Sequence, residues 1–192
     1  YLTSATDMEE LPTFTGIHHA EKLNYLSGNE NEDKVHTYIV HSESKDKLHT
    51  LYKLLCTLED GQSIVFLNHR EAVDRVSAYL REQKLYFEAY HGGMEQEMRE
   101  RALYKFRCGS SNVLVSTDLA ARGLDIPEVR HIIHYHLPSS EEGYIHRTGR
   151  TARWNADGSS YLILHSEERA PEYLPEDVVD YSLPERVGRP VP

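Results

Sequence analysis

Residues 146–153 read His-Arg-Thr-Gly-Arg-Thr-Ala-Arg, so Arg147, Arg150 and Arg153 stand three positions apart. On a helix that spacing turns all three guanidinium groups broadly to one side. Like charges so placed repel by a few tenths of a kcal/mol per neighbouring pair. Gly149 adds up to about 1 kcal/mol of helix cost relative to alanine. Nothing within the stretch supplies a compensating acid. One reading is a solvated helix face with scattered salt bridges to Glu141 or Glu142. The other is a set of guanidinium forks that wait for an anion from outside. Guanidinium geometry matches phosphate oxygens, so the second reading is phosphate chemistry.

A second stretch, residues 116–127 (STDLAARGLDIP), follows an apolar run. It offers the Thr117 hydroxyl, the Asp118 and Asp125 carboxylates, Arg122, and Gly123, where backbone could approach a ligand. Asp125 could hydrogen-bond a ribose hydroxyl, as acids do in other nucleotide sites. The same residues also read as a capped turn, with Thr117 or Asp118 opening a short helix and Gly123 closing it. A cap does not exclude a ligand.

These residues need a scaffold, and the middle of the chain reads as alternating strands and helices. Strands are expected at residues 35–41, 63–68, 85–91, 112–117, 130–136 and 160–165. A helix over 45–58, capped by Ser44, places Leu48, Leu51, Leu55 and Leu58 together. A second over about 71–83 aligns Val73, Val76 and Leu80. A third over 94–106 puts Met94, Met98, Ala102 and Phe106 inward. Asp60-Gly61 and Gly92-Gly93 are turns. Strands separated by helices of this length imply an α/β fold: an open, mostly parallel sheet with helices on both faces. Ligands of such sheets sit at the carboxyl ends of the strands. That rule singles out Asn68-His69-Arg70, His91-Gly92-Gly93, Thr117-Asp118 and the loop leading to the arginines.

The net charge of -10 argues at first against a nucleic-acid partner, but the acid is at the ends. Residues 1–34 hold 7 acidic and 2 basic side chains, and residues 166–192 hold 7 and 3; residues 35–165 are nearly balanced at 17 and 16. No apolar run approaches the roughly 20 residues of a membrane span, so no membrane partner is expected. Cys56 and Cys108 form no CxxC pair, and a reduced, cytoplasmic protein is expected. Of the 12 histidines, His131, His134 and His136 share one expected strand, with His134 and His136 on one face. No second cluster has ligand spacing, so no metal site is expected. Residues 170–192 carry five prolines and no long helix could survive them.

The arginine stretch resembles motif VI of DEAD-box helicases, and STDLAARGLD resembles their motif V. SIVFLN (63–68) resembles the strand of motif IV. The segment from His91 to Arg107 resembles the glycine turn and Q-x-x-R helix, here Gln96 and Arg99. Ser4-Ala5-Thr6 resembles the SAT of motif III. His69 stands where the family often has threonine, and Trp154 directly follows motif VI.

The resemblance implies a RecA-like domain over residues 35–168. It implies the end of the first core domain plus a linker over 1–34, and a Pro-rich extended tail over 169–192. It implies ATP held between this domain and the first RecA-like domain of the same chain, with Mg bound mainly by that first domain. Arg150 and Arg153 would reach the γ-phosphate as arginine fingers. Asp125 and Gly123 would meet the nucleotide, and Arg147 and His146 would tie that site to neighbouring motifs. RNA would lie along Gly92, Gly93, Gln96, Arg99 and Thr117, with Asn68 and Arg70 beside it. A monomer is expected. The 192 residues hold no GxxxxGK[ST] loop, so hydrolysis by this chain alone should be negligible. A catalytically silent RNA- or protein-binding module and part of a DNA translocase are the alternatives.

Overall fold

A computed structural model of the chain describes residues 35–58, 60–118, 126, 129–151 and 157–185. Ser4, Ala5, Thr6 and the rest of 1–34, together with Arg122, Gly123, Asp125, Arg153 and Trp154, lie outside the described residues.

The described elements follow one another as β1 (Val35–Ser42), α1 (Leu48–Thr57), β2 (Ser63–Leu67), α2 (Arg70–Glu82), β3 (Glu88–Tyr90), α3 (Gln96–Arg107), β4 (Val113–Thr117), β5 (His131–His134), α4 (Glu141–Thr148), β6 (Gly158–His165) and β7 (Val179–Asp180). The strands form one sheet in the order β3-β4-β2-β5-β6-β1-β7, and every described pairing is parallel. This is the RecA-like α/β fold.

β2 is buried along its whole length, as a strand covered on both faces must be. Its side chains alternate between two apolar layers. Val65 and Leu67 join Leu51, Leu54, Val73, Val76 and Leu80 of α1 and α2. Ile64 and Phe66 join Ile132 of β5 and Phe106 of α3. α2 contributes Val73, Val76, Ser77 and Leu80, spaced three, one and three residues apart, which is one face of a helix. Each such aliphatic side chain gains roughly 1.5–3 kcal/mol from burial.

Two local expectations are corrected. Ser44 does not cap α1. Its hydroxyl donates to Asp46 (2.8 Å), and the Asp46 carboxylate takes the Leu48 N–H at 3.2 Å, so the stronger acceptor starts the helix later. Met98 faces outward and is 55% exposed, whereas Ala102 and Phe106 of the same helix are buried. The neighbouring edge strand β3 is three residues long and leaves that first turn uncovered.

The Asp60-Gly61 turn holds Gly61 at φ 85, and a Cβ there would meet Arg130 Cβ at 2.8 Å, so only glycine fits. Lys47 also has positive φ (56). Its buried ammonium donates to the Ile163 carbonyl (3.1 Å) and to Glu168 (2.9 Å), which ties the start of α1 to the end of β6. Burial pulls the Lys47 pKa down and the Glu168 hydrogen bond opposes that. The proline-rich segment supplies β7, and Tyr181 packs edge-on against Tyr38 and Tyr161.

Candidate functional site

α4 begins where Ser140, in extended backbone, accepts the Gly143 N–H on its hydroxyl at 3.1 Å. Glu141 and Glu142 occupy the first turn and His146 and Arg147 the last, each complementing the helix dipole. Tyr144, Arg147 and Thr148 are the buried face. The helix ends at Gly149, where a Cβ would press on the Ile145 carbonyl at 3.1 Å.

Arg147 is 2% exposed and is among the largest fully buried side chains. Its guanidinium has five N–H bonds, and each has an acceptor. Nε and one Nη2 hydrogen take the two oxygens of Asp118, both at 2.5 Å. The other Nη2 hydrogen goes to Asn68 Oδ1 at 2.9 Å. The Nη1 hydrogens go to the His136 carbonyl at 2.7 Å and to His134 Nδ1 at 3.3 Å. Phe66 lies beneath, 5.2 Å from the guanidinium carbon to the ring centre. One side chain of α4 therefore joins the carboxyl ends of β2, β4 and β5.

The acceptors fix the protonation of two histidines. His134 is fully buried, stacks on Tyr144, and places Nε2 3.0 Å from Ser160 Oγ. Burial, and then the Arg147 charge, hold its pKa well below the ordinary histidine value. His136 Nδ1 accepts the Asn68 N–H at 3.1 Å. Its pKa is pushed down to about 4, chiefly by burial, then by Lys47 and His69.

The remaining sequence-derived residues lie around this junction. Arg150 follows α4 after the single residue Gly149; its N–H donates to the Arg147 carbonyl (3.2 Å) and its carbonyl accepts from Val129 N–H (3.1 Å). Thr117 is the buried last residue of β4, one position before Asp118. Both ends of the Asn68 amide are engaged, since Nδ2 donates to the Leu137 carbonyl at 3.3 Å. His146 is exposed and pairs with Glu142 one turn back at 3.3 Å. Arg147 itself, expected to tie the nucleotide site to neighbouring motifs, directs all its donors into the protein.

The glycine turn after β3 is built around His91. Its Nδ1 accepts the Gly93 N–H (3.1 Å), its carbonyl accepts the Met94 N–H (3.2 Å), and Nε2 meets Asp74 of α2 at 3.1 Å. A Cβ on Gly93 would touch the His91 ring at 3.2 Å, whereas one on Gly92 would meet nothing within 4 Å. Gln96 opens α3 and donates to Glu100. Arg99 Nε is buried without a hydrogen-bond partner among the described residues. Arg70 opens α2, donates to Glu71, and lies 3.4 Å from the Gly93 Cβ position. Sequence reading missed His134, Ser160 and Asp74 as site-builders. A histidine inside the apolar run HIIHY is the available signal for the first.

The chain matches the model of the helicase conserved C-terminal domain over residues 46–155. It is 44% identical over 108 residues to the ATP-dependent RNA helicase mak5 of Schizosaccharomyces pombe, a match covering 56% of this chain and 17% of that protein. Its fold is similar to the E. coli DEAD-box protein SrmB, solved bound to regulator of ribonuclease activity A, with 33% identity and a TM-score of 0.71 over 78% of this chain and 91% of that one. It is also similar to S. cerevisiae Dbp5 solved with RNA and ADP BeF3, with 29% identity and a TM-score of 0.65 over 70% of this chain and 36% of that one. The chain thus spans less than a fifth of the length of its fission-yeast relative.

Proposed function

The chain belongs to the helicase conserved C-terminal domain family and is a DEAD-box C-terminal domain, and from that premise we propose that it is half of the catalytic core of an ATP-dependent RNA helicase. In this reading ATP with Mg binds between this domain and another RecA-like domain, which holds most of the Mg. Arg150 and Arg153 meet the charge that builds on the transferring phosphoryl group. Asp125 and Gly123 take the ribose side. RNA runs along Gly92, Gly93, Gln96, Arg99 and Thr117, with Arg70 at the margin, and the protein acts as a monomer.

The observation that carries this reading is the Arg147 junction. It fastens the helix that leads into Arg150 to the strand ends bearing Asn68, Thr117 and Asp118. An anion-responsive residue and the RNA-side strand ends are therefore parts of one rigid edge of the sheet. A change on one side is felt by the other through five charge-assisted hydrogen bonds. Dbp5, solved with RNA and ADP BeF3, supports both ligand classes by similarity.

The test is Arg150→Ala in a protein carrying both core domains. RNA-stimulated ATP hydrolysis should fall by about a thousandfold or more, with RNA affinity changed little. Unimpaired turnover in that variant would refute the assignment.

A further inference from the structure

We propose that His134, held in one tautomer by Ser160, is a positioning residue for ATP hydrolysis: it seats Arg147 and thereby aims the turn that carries Arg150. The proposal rests on Arg150 acting at the transferring phosphoryl group.

Four of the five acceptors on Arg147 are oxygens: two of Asp118, one of Asn68 and the His136 carbonyl. They accept whatever their surroundings. His134 Nδ1 is different, because it accepts only when it carries no proton. Arginine has no lone pair to offer, so the 3.3 Å contact from Nη1 requires a bare Nδ1. The ring hydrogen must then sit on Nε2, where Ser160 Oγ stands 3.0 Å away to receive it. Ser160 is fully buried on β6, so no water competes for that hydrogen. The opposite tautomer would set an N–H against the guanidinium and leave an Nη1 hydrogen unpaired in a dry site.

His134 also meets α4 at a second point. Its ring stacks on Tyr144, with centroids 5.4 Å apart and planes at 24°. Tyr144 and Arg147 are three residues apart on the buried face of α4, so one imidazole fixes both the height and the rotation of that helix. The connection from α4 to Arg150 is short. Gly149 donates to the Ile145 carbonyl at 2.8 Å, and Arg150 donates to the Arg147 carbonyl. A rotation of α4 therefore passes to Arg150 without a flexible linker to absorb it. Misplacement of a catalytic group by about 1 Å can cost a hundredfold in rate.

The experiment uses the protein with both core domains and compares His134→Asn, His134→Leu and Ser160→Ala. Asparagine places Oδ1 near the position of Nδ1 and so keeps the acceptor. RNA-stimulated kcat should stay within about threefold for Asn and fall at least about tenfold for Leu, with KM for ATP nearly unchanged. Equal losses in Asn and Leu, or an unchanged kcat in folded His134→Leu, would overturn the proposal. Should the Leu variant not fold, imidazole ¹⁵N shifts in the unsubstituted protein decide. An unprotonated Nδ1 on His134 supports the proposal, and Ser160→Ala should then lower kcat; a protonated Nδ1 overturns it. Arg150→Ala measured alongside separates the two failures. If it leaves kcat intact, the underlying reading fails, whereas its loss beside a normal His134→Leu defeats only the positioning role.

Discussion

Arg147→Lys keeps the charge of the junction and removes its shape. An ammonium has three N–H donors where the guanidinium has five, so at least two of the five acceptors lose their hydrogen. The Asp118 side chain is 37% exposed and can turn one oxygen to water, while Asn68 Oδ1, the His136 carbonyl and His134 Nδ1 face the buried guanidinium. At least one buried acceptor is therefore orphaned, and each costs about 1–3 kcal/mol. Lost cation–π contact with Phe66 adds to this. The expected loss is about 2–4 kcal/mol, a large part of the 5–15 kcal/mol that holds an ordinary domain together. Arg147→Met empties the whole network and should cost about 3–5 kcal/mol. With a urea slope of about 2 kcal/mol per molar, the midpoint for Lys should fall by about 1–2 M. Urea denaturation of the 192-residue chain, followed by circular dichroism, reads this directly. Midpoints of both variants within about 0.3 M of the parent would refute the reasoning. The hydrogen bonds would then return no more than the desolvation of the ion costs.

The same site and the glycine turn beside it give two further expected outcomes. His134 and His136 are both held neutral, with folded pKa values below the unfolded value of about 6.5. The unfolded chain then binds more protons, so stability rises with pH and must fall as pH drops below about 6.5; for His136 the loss levels off near a pH of about 4. Each histidine contributes up to about 1.4 kcal/mol per pH unit, less for His136 because part of it is solvated. Denaturant midpoints between about pH 7.5 and 5 should show the slope, and His136→Asn should reduce it; an equal slope in that variant contradicts the assignment. At the glycine turn, Gly92→Ala should leave the midpoint unchanged but weaken RNA binding, whereas Gly93→Ala should lower both, because its Cβ presses on the His91 ring. Titration with single-stranded RNA in the two-domain protein distinguishes them, and equal RNA affinity in Gly92→Ala removes Gly92 from the RNA path.

The parts of this domain that sequence reading finds are those with a local period. α2 repeats its apolar residues on one face, and β2 is apolar from Ile64 to Leu67, so both are visible within a dozen residues. The start of α1 is less legible because Ser44 and Asp46 compete for one role and the carboxylate prevails. Met98 follows the right period and still faces water, since period fixes direction on a helix and not whether anything lies opposite. The site is harder again. Arg147 meets residues 29 and 79 positions away, and no spacing rule links Asn68, Asp118 and Arg147. Resemblance to a family gives Arg150 and Arg153 to the phosphate and Arg147 to neighbouring motifs, but it names neither Asp118 nor Asn68 as the partner of Arg147.

What separates them is burial. Arg147 and Arg150 share a sequence context, yet the first has every donor committed inside the protein, while the second sits beyond the helix end. The repulsion expected from crowded guanidinium groups is resolved differently along the stretch. Asp118 neutralises Arg147, an acid that sequence proximity could not reveal. The spacing that looked like one anion site is an internal brace followed by a residue the brace positions. Family likeness sets Arg147 apart by role; the count of five donors against five acceptors gives the physical reason.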